Sequence, residues 1–166
     1  MKRAHRSLLS AVVLIAGVSG SSWPVLAGPN GESFESRLKG AYAGAYQGFL
    51  LLGGTAFDHN GIEQIRFDGS GGLTGSETLN ILFPGPQGGQ LTCQGSLSGT
   101  YQIDGDGTGT LALTFTPSAG QNPNCEGASS TASLVISDRN RFVDIVSTED
   151  LAPQTAIHIH VQLRKQ

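Results

Sequence analysis

The sequence predicts an all-β chain whose strands close into an eight-stranded antiparallel up-and-down barrel. Three observations predict it. Glycine is abundant, with 24 in 166 residues, and turn residues bound almost every apolar segment. The apolar segments are short and rich in threonine, valine, isoleucine and aromatic residues, the types that fit a pleated, half-buried surface. Their alternation has period two: Leu111, Leu113 and Phe115 take one face, while Thr110, Ala112, Thr114 and Thr116 take the other.

In chain order, the first element is an address. Residues 1–27 begin with the basic stretch MKRAHR, continue through the apolar LLSAVVLIAGV and end on VLA. A basic start, an apolar run too short to span a bilayer and small residues at Val25 and Ala27 predict a cleaved signal peptide. No cysteine lies near the cut, which argues against a lipid anchor. Export to the periplasm or the extracellular space is therefore expected. An extension over 28–40 follows, with a short helix in ESFESRL, and then a single barrel domain over 41–166.

Eight strands are expected at 41–52, 62–67, 73–82, 95–103, 109–116, 130–137, 141–148 and 155–164. Connections such as DHNG (58–61) and SDRN (137–140) are hairpin-sized, so consecutive strands should pair antiparallel. Such a set either closes on itself or leaves two edges open to aggregation, and closure is the commoner solution for a secreted domain. A two-sheet sandwich is the competing arrangement, because it has the same short strands and turn spacing.

After residue 27 the chain holds 13 acidic and seven basic residues, a net charge near −6, which excludes a nucleic-acid footprint. No later stretch is long and apolar enough to cross a membrane as a helix. Cys93 and Cys125 are the only cysteines, and in an exported protein an even pair is read as a disulfide. It would staple one hairpin and contribute about 3–4 kcal/mol by restricting the unfolded chain. The spacing is not C-x-x-C, and two cysteines without a nearby histidine do not make a zinc site.

The stretch DGDGTG (104–109) places Asp104, Asp106 and Thr108 as the first, third and fifth positions of a calcium loop would be. Its twelfth position is Phe115, where an EF-hand needs a bidentate glutamate. A related stretch, DGSGG at 68–72, keeps the glycines but has Ser70 in place of the second carboxylate. What repeats is the turn, so both are expected to be tight hairpins. A second echo, GAYQG (44–48) against GTYQI (99–103), places Tyr46 and Tyr101 on strands. There a phenol facing the lumen could bind a ligand's polar group while its ring supplies apolar contact.

With its strand number and order over 41–164, and a short helix leading into GAY (40–42), the chain resembles the calycin-like barrels. These are the lipocalins and their relatives, together with small exported bacterial barrels. The resemblance implies an apolar pocket at the open end of the barrel and no particular ligand. It departs from the lipocalin pattern in having no tryptophan after residue 27 and no Thr-Asp-Tyr motif.

Two constellations are candidates for chemistry. His158 and His160 share one face of the last strand and could ligate zinc, with His59 or Asp144 as a third ligand. The opposite face carries Ile157, Ile159, Val161 and Leu163, which should take the core and leave both imidazoles in solvent. Glu77 shares parity with Leu73, Gly75, Leu79 and Ile81, which carries it inward. Buried beside Tyr46 or Arg66 it could act as an acid or base; at the barrel mouth it would pair with Arg66 or Arg141. Asp144, between Phe142 and Val146, poses the same choice.

The expected function is therefore binding of a small hydrophobic ligand by Tyr46, Glu77, Tyr101 and Phe115, without catalysis or cofactor. A filled barrel acting through its outer surface on a protein partner, in an envelope or host-interaction role, is the alternative. An isomerase or cyclase of lipid-like substrates, using Glu77 and Tyr101, ranks third.

Overall fold

In the computed structural model, residues 33–52, 55–83, 85, 88–137, 139–152 and 155–166 are described. The expected signal peptide lies outside them. Eight strands follow in order: β1 Lys39–Leu52, β2 Thr55–Asp68, β3 Gly72–Leu82, β4 Gln90–Ile103, β5 Thr108–Pro117, β6 Ala128–Ser137, β7 Phe142–Ala152 and β8 Thr155–Lys165. Each pairs antiparallel with the next, and β1 pairs with β8, for example Tyr46 with Val161, so the sheet is a closed barrel. That last pairing excludes the sandwich, which would leave both strands as edges.

The helix expected over ESFESRL is a single 3-10 turn, Phe34–Arg37, whose bonds run from Ser36 N to Ser33 O at 3.1 Å and from Leu38 N to Glu35 O at 3.0 Å. The larger correction concerns DHNG. Residues 58–61 are not a turn but lie inside β2, which begins at Thr55. Asp58, Asn60 and Gly61 favour turns locally, yet here they are paired on both sides: Asn60 faces Gln47 of β1 and Asn80 of β3. Tertiary pairing overrides propensity. β4 likewise starts five residues earlier than expected, at Gln90 rather than 95.

The expected hairpins at DGSGG and DGDGTG are observed. Asp68 Oδ1 accepts from the N–H groups of Ser70 (2.7 Å) and Gly72 (2.9 Å), and Asp106 Oδ1 accepts from Thr108 N (2.9 Å) and Oγ1 (2.7 Å). Both carboxylates serve their own turns. At the β6–β7 turn, Arg139 and Asn140 both take left-handed backbone angles, φ 55° and 66°, as a two-residue hairpin of the primed type requires.

The two ends of the barrel differ. At the end holding the β2–β3, β4–β5 and β6–β7 turns, the 3-10 segment caps a packed core in which Tyr42, Phe67 and Tyr101 form successive edge-to-face pairs at 5.5 and 5.1 Å. Leu38, Ile65, Leu134, Val143 and Leu163 complete this plug, each 0–1 % exposed. Such aromatic pairs contribute about 0.5–1.5 kcal/mol beyond area burial. At the opposite end, Cys93 of β4 and Cys125 are joined in a disulfide with Cα atoms 5.6 Å apart. The bridge encloses the β4–β5 hairpin and fastens the β5–β6 connection against β4, where Ser118 N also bonds Gln94 O at 2.9 Å. A disulfide fits an oxidising, exported environment.

Candidate functional site: a polar cluster in an apolar cavity

The half of the barrel opposite the plug is not filled by its own side chains. It encloses a cavity of about 520 Å³ walled by apolar groups that include Leu79, Ile81, Leu97, Phe115, Ile145 and Val161. The wall follows from period-two alternation on strands whose inward positions are apolar.

Four polar side chains form a cluster in that wall, Tyr46 from β1, His59 and Glu63 from β2, and Glu77 from β3, while Asn124, Glu126, Ser129, Ser130 and Ser147 line it elsewhere. Strand register brings them together. Glu63 is directly opposite Glu77 across the β2–β3 ladder, and Tyr46 is opposite Gly61 across β1–β2. Gly61 is what lets Tyr46 cross β2. A Cβ there would meet the ring Cζ and the hydroxyl at 2.7 Å each, so only glycine leaves the phenol room to lie over the strand and reach β3. Phe115 lies over Gly95 in the same way, where a Cβ would meet its ring edge at 2.5–2.7 Å.

Tyr46 donates its hydroxyl proton to Glu77 Oε1 in a short hydrogen bond. Its oxygen is then left to accept from His59 Nε2 at 3.2 Å, which assigns His59 the tautomer protonated at Nε2 and leaves Nδ1 as a bare acceptor. That Nδ1 is buried without a hydrogen-bond partner, and so is Oε1 of Glu63, a residue only 6 % exposed.

Burial sets the protonation of all four. It pushes the Glu63 carboxyl up to about 8, with the Glu77 charge opposite adding to the rise. Desolvation also raises Glu77, partly offset by the hydrogen bond from Tyr46. It lowers His59, favouring the neutral ring, and raises Tyr46. The arrangement can hold or pass a proton between carboxyl groups and can hydrogen-bond a buried polar head.

Of the residues singled out from sequence, Tyr46, Glu77 and Phe115 meet in this cavity. Tyr101 does not serve it. Its hydroxyl donates to Leu38 O (2.8 Å), lies 3.2 Å from Glu35 O and accepts from Gly69 N (3.0 Å), fastening the 3-10 segment to the plugged end. Arg66 faces outward, so Glu77 is paired with Tyr46 instead. Val161 and Leu163 are buried, Ile159 packs against the core, and the side chain of Ile157 lies outside the described residues. His160 is outside the barrel, 3.8 Å from Asp144, which itself accepts from Gln162 at 3.0 Å. His158 stacks on Phe49 with ring centres 4.7 Å apart. Among the described residues, no three of His, Cys, Asp and Glu come together as a metal site.

From sequence, Glu63 is not singled out and His59 is named only as a candidate third zinc ligand, for different reasons. Glu63 shares parity with Ile65 and Phe67, so its inward direction was legible. His59 has the same parity, but only once β2 is extended through the residues expected to turn. Compared with known proteins, the chain matches no family model, no curated protein and no solved structure.

Proposed function

We propose that this is an exported, calycin-like barrel, periplasmic or extracellular, that binds one small, mainly hydrophobic molecule in its lumen. The single observation that carries the reading is the cavity of about 520 Å³, apolar on most of its wall and holding one polar cluster. Its size falls within the roughly 300–1,000 Å³ common for small-molecule sites, and a few convergent polar groups in an apolar wall are their usual composition. Burying partnerless atoms such as Glu63 Oε1 costs about 1–3 kcal/mol each, a cost that a ligand's polar end would relieve.

A second reading, action through the outer surface on a protein partner, has one observation in its favour. Ile62 is 62 % exposed on the outer wall, with Phe49, Val135 and Val146 also exposed. These side chains are spread over β1, β2, β6 and β7, so the cavity is the better-supported site.

Native mass spectrometry of the protein purified from its own host tests the proposal. The expected spectrum has one small organic molecule per chain, lost when the cavity is filled by Ala132→Trp. A bare chain that also takes up no decanol would contradict it.

A further inference from the structure

The chemistry of the polar cluster narrows the ligand class. Resting on the binding reading above, we propose that the cavity takes an apolar molecule whose polar end is a protonated amine, held by Glu63, Glu77 and His59.

With Tyr46 donating to Glu77 and accepting from His59, the two buried atoms of the cluster without partners are Nδ1 of His59, an acceptor, and Oε1 of Glu63, an acceptor once that carboxyl group gives up its proton to a base such as an amine. A complementary head must therefore donate. A primary ammonium is donor-only, with three N–H groups, whereas an alcohol brings one O–H and a carboxylate brings none.

Charge points the same way. Glu63 and Glu77 face each other across one ladder position, so ionising both places like charges side by side in an apolar wall. A cation between them removes that repulsion and makes charge-assisted hydrogen bonds, roughly twice as strong as neutral ones. Glu126, on the β5–β6 connection, adds a third carboxyl group to the lining, and no Lys or Arg stands among the described lining residues. An anionic head would meet three carboxyl groups and no cation there, with only neutral polar side chains such as Tyr46, His59, Asn124 and Ser147 beside them.

The row on which the carboxyl groups stand is flanked by glycines, over one of which, Gly95, the Phe115 ring lies. Across the inner wall, Gly44 pairs with Glu63, Glu63 with Glu77, and Glu77 with Gly95. Each carboxylate thus has a residue without a side chain as its outer neighbour. The apolar body would then lie along Leu79, Ile81, Leu97 and Ile145 toward the mouth.

Calorimetric titration with decylamine, decanol and decanoate, which share one chain length, tests the proposal. Decylamine is expected to bind about tenfold or more tighter than decanol, with decanoate weakest. In Glu63→Gln, the ratio of decylamine to decanol affinity should fall toward one. Equal affinity of wild-type protein for decylamine and decanol, or a ratio unchanged in Glu63→Gln, would overturn the amine assignment and leave the binding reading standing. Absence of binding by all three would overturn both. The wild-type comparison needs no variant to fold, and Glu77→Gln gives a second measure of the ratio.

Discussion

Glu63 and Glu77 are direct partners across the β2–β3 ladder, and both project into the barrel's cavity. Like charges opposite one another on a sheet are destabilising, so this position opposes folding unless one group keeps its proton or a ligand intervenes.

Stability should consequently fall as pH rises from about 6.5 to about 8. The folded Glu63 carboxyl titrates near 8, against an ordinary 4.5, so between these values the native state holds a proton that the unfolded chain has released. Raising the pH then favours unfolding, at a slope approaching about 1.4 kcal/mol per pH unit. Glu77 acts with the same sign. His59 acts oppositely: its pKa is lowered, so below 6.5 the unfolded chain takes the proton first and stability falls as pH falls. Urea denaturation across pH 6.5–8 checks this, and Glu63→Gln should flatten the slope.

Gly61→Ala should destabilise the barrel by about 1–3 kcal/mol, the usual cost of overpacking. The added methyl would collide with the Tyr46 ring and with the backbone oxygen of Thr78, and backbone cannot swing aside. Paired with Tyr46→Phe, it should remain costly, because the ring Cζ is still in the way. Denaturant midpoints of the two single variants and the double variant measure it.

Tyr101→Phe should cost about 1–3 kcal/mol by leaving the buried Leu38 carbonyl and the Gly69 amide without this partner. Ligand affinity should stay unchanged, since this hydroxyl serves the plugged end. Parallel stability and titration measurements separate the two effects.

Replacing Cys93 and Cys125 together by alanine should cost about 2–5 kcal/mol, as expected of a native disulfide. It should also speed ligand exchange, because Cys125 and its neighbours on the β5–β6 connection line the cavity and are released from β4. Stopped-flow release rates measure the second effect.

His158→Gln with His160→Gln should alter stability by no more than about 0.5 kcal/mol, as is usual on a surface, apart from the Phe49 stacking contact. Stoichiometric zinc retained by the native protein and lost in this variant would contradict the outward placement.

Most of the architecture was legible because period-two patterning reports which face is buried. Leu111, Leu113 and Phe115, or Leu73, Glu77 and Ile81, needed nothing beyond alternation. The Cys93–Cys125 bridge was legible from the even count of cysteines together with the expected export. The site was only partly so. Tyr46 and Glu77 could each be placed inward, but their contact depends on Gly61, whose purpose emerges only when β1 lies beside β2. Asp58, Asn60 and Gly61 are locally the chemistry of a turn, and no local signal reveals that two neighbouring strands pair them. His59 was hidden by that misreading. Tyr101 has the right strand parity for the cavity but sits at the opposite end, because parity fixes the face and not the height along the axis.

The central claim is that an apolar ligand occupies the lumen, and methyl NMR on titration with decanol tests it most directly. Saturable shifts are expected at one equivalent for Ile81, Ile145 and Ile159, which line the cavity, with Ile62, Val135 and Val146 on the outer wall unmoved. Shifts confined to the outer methyl groups, or no shift at saturating decanol, would contradict it.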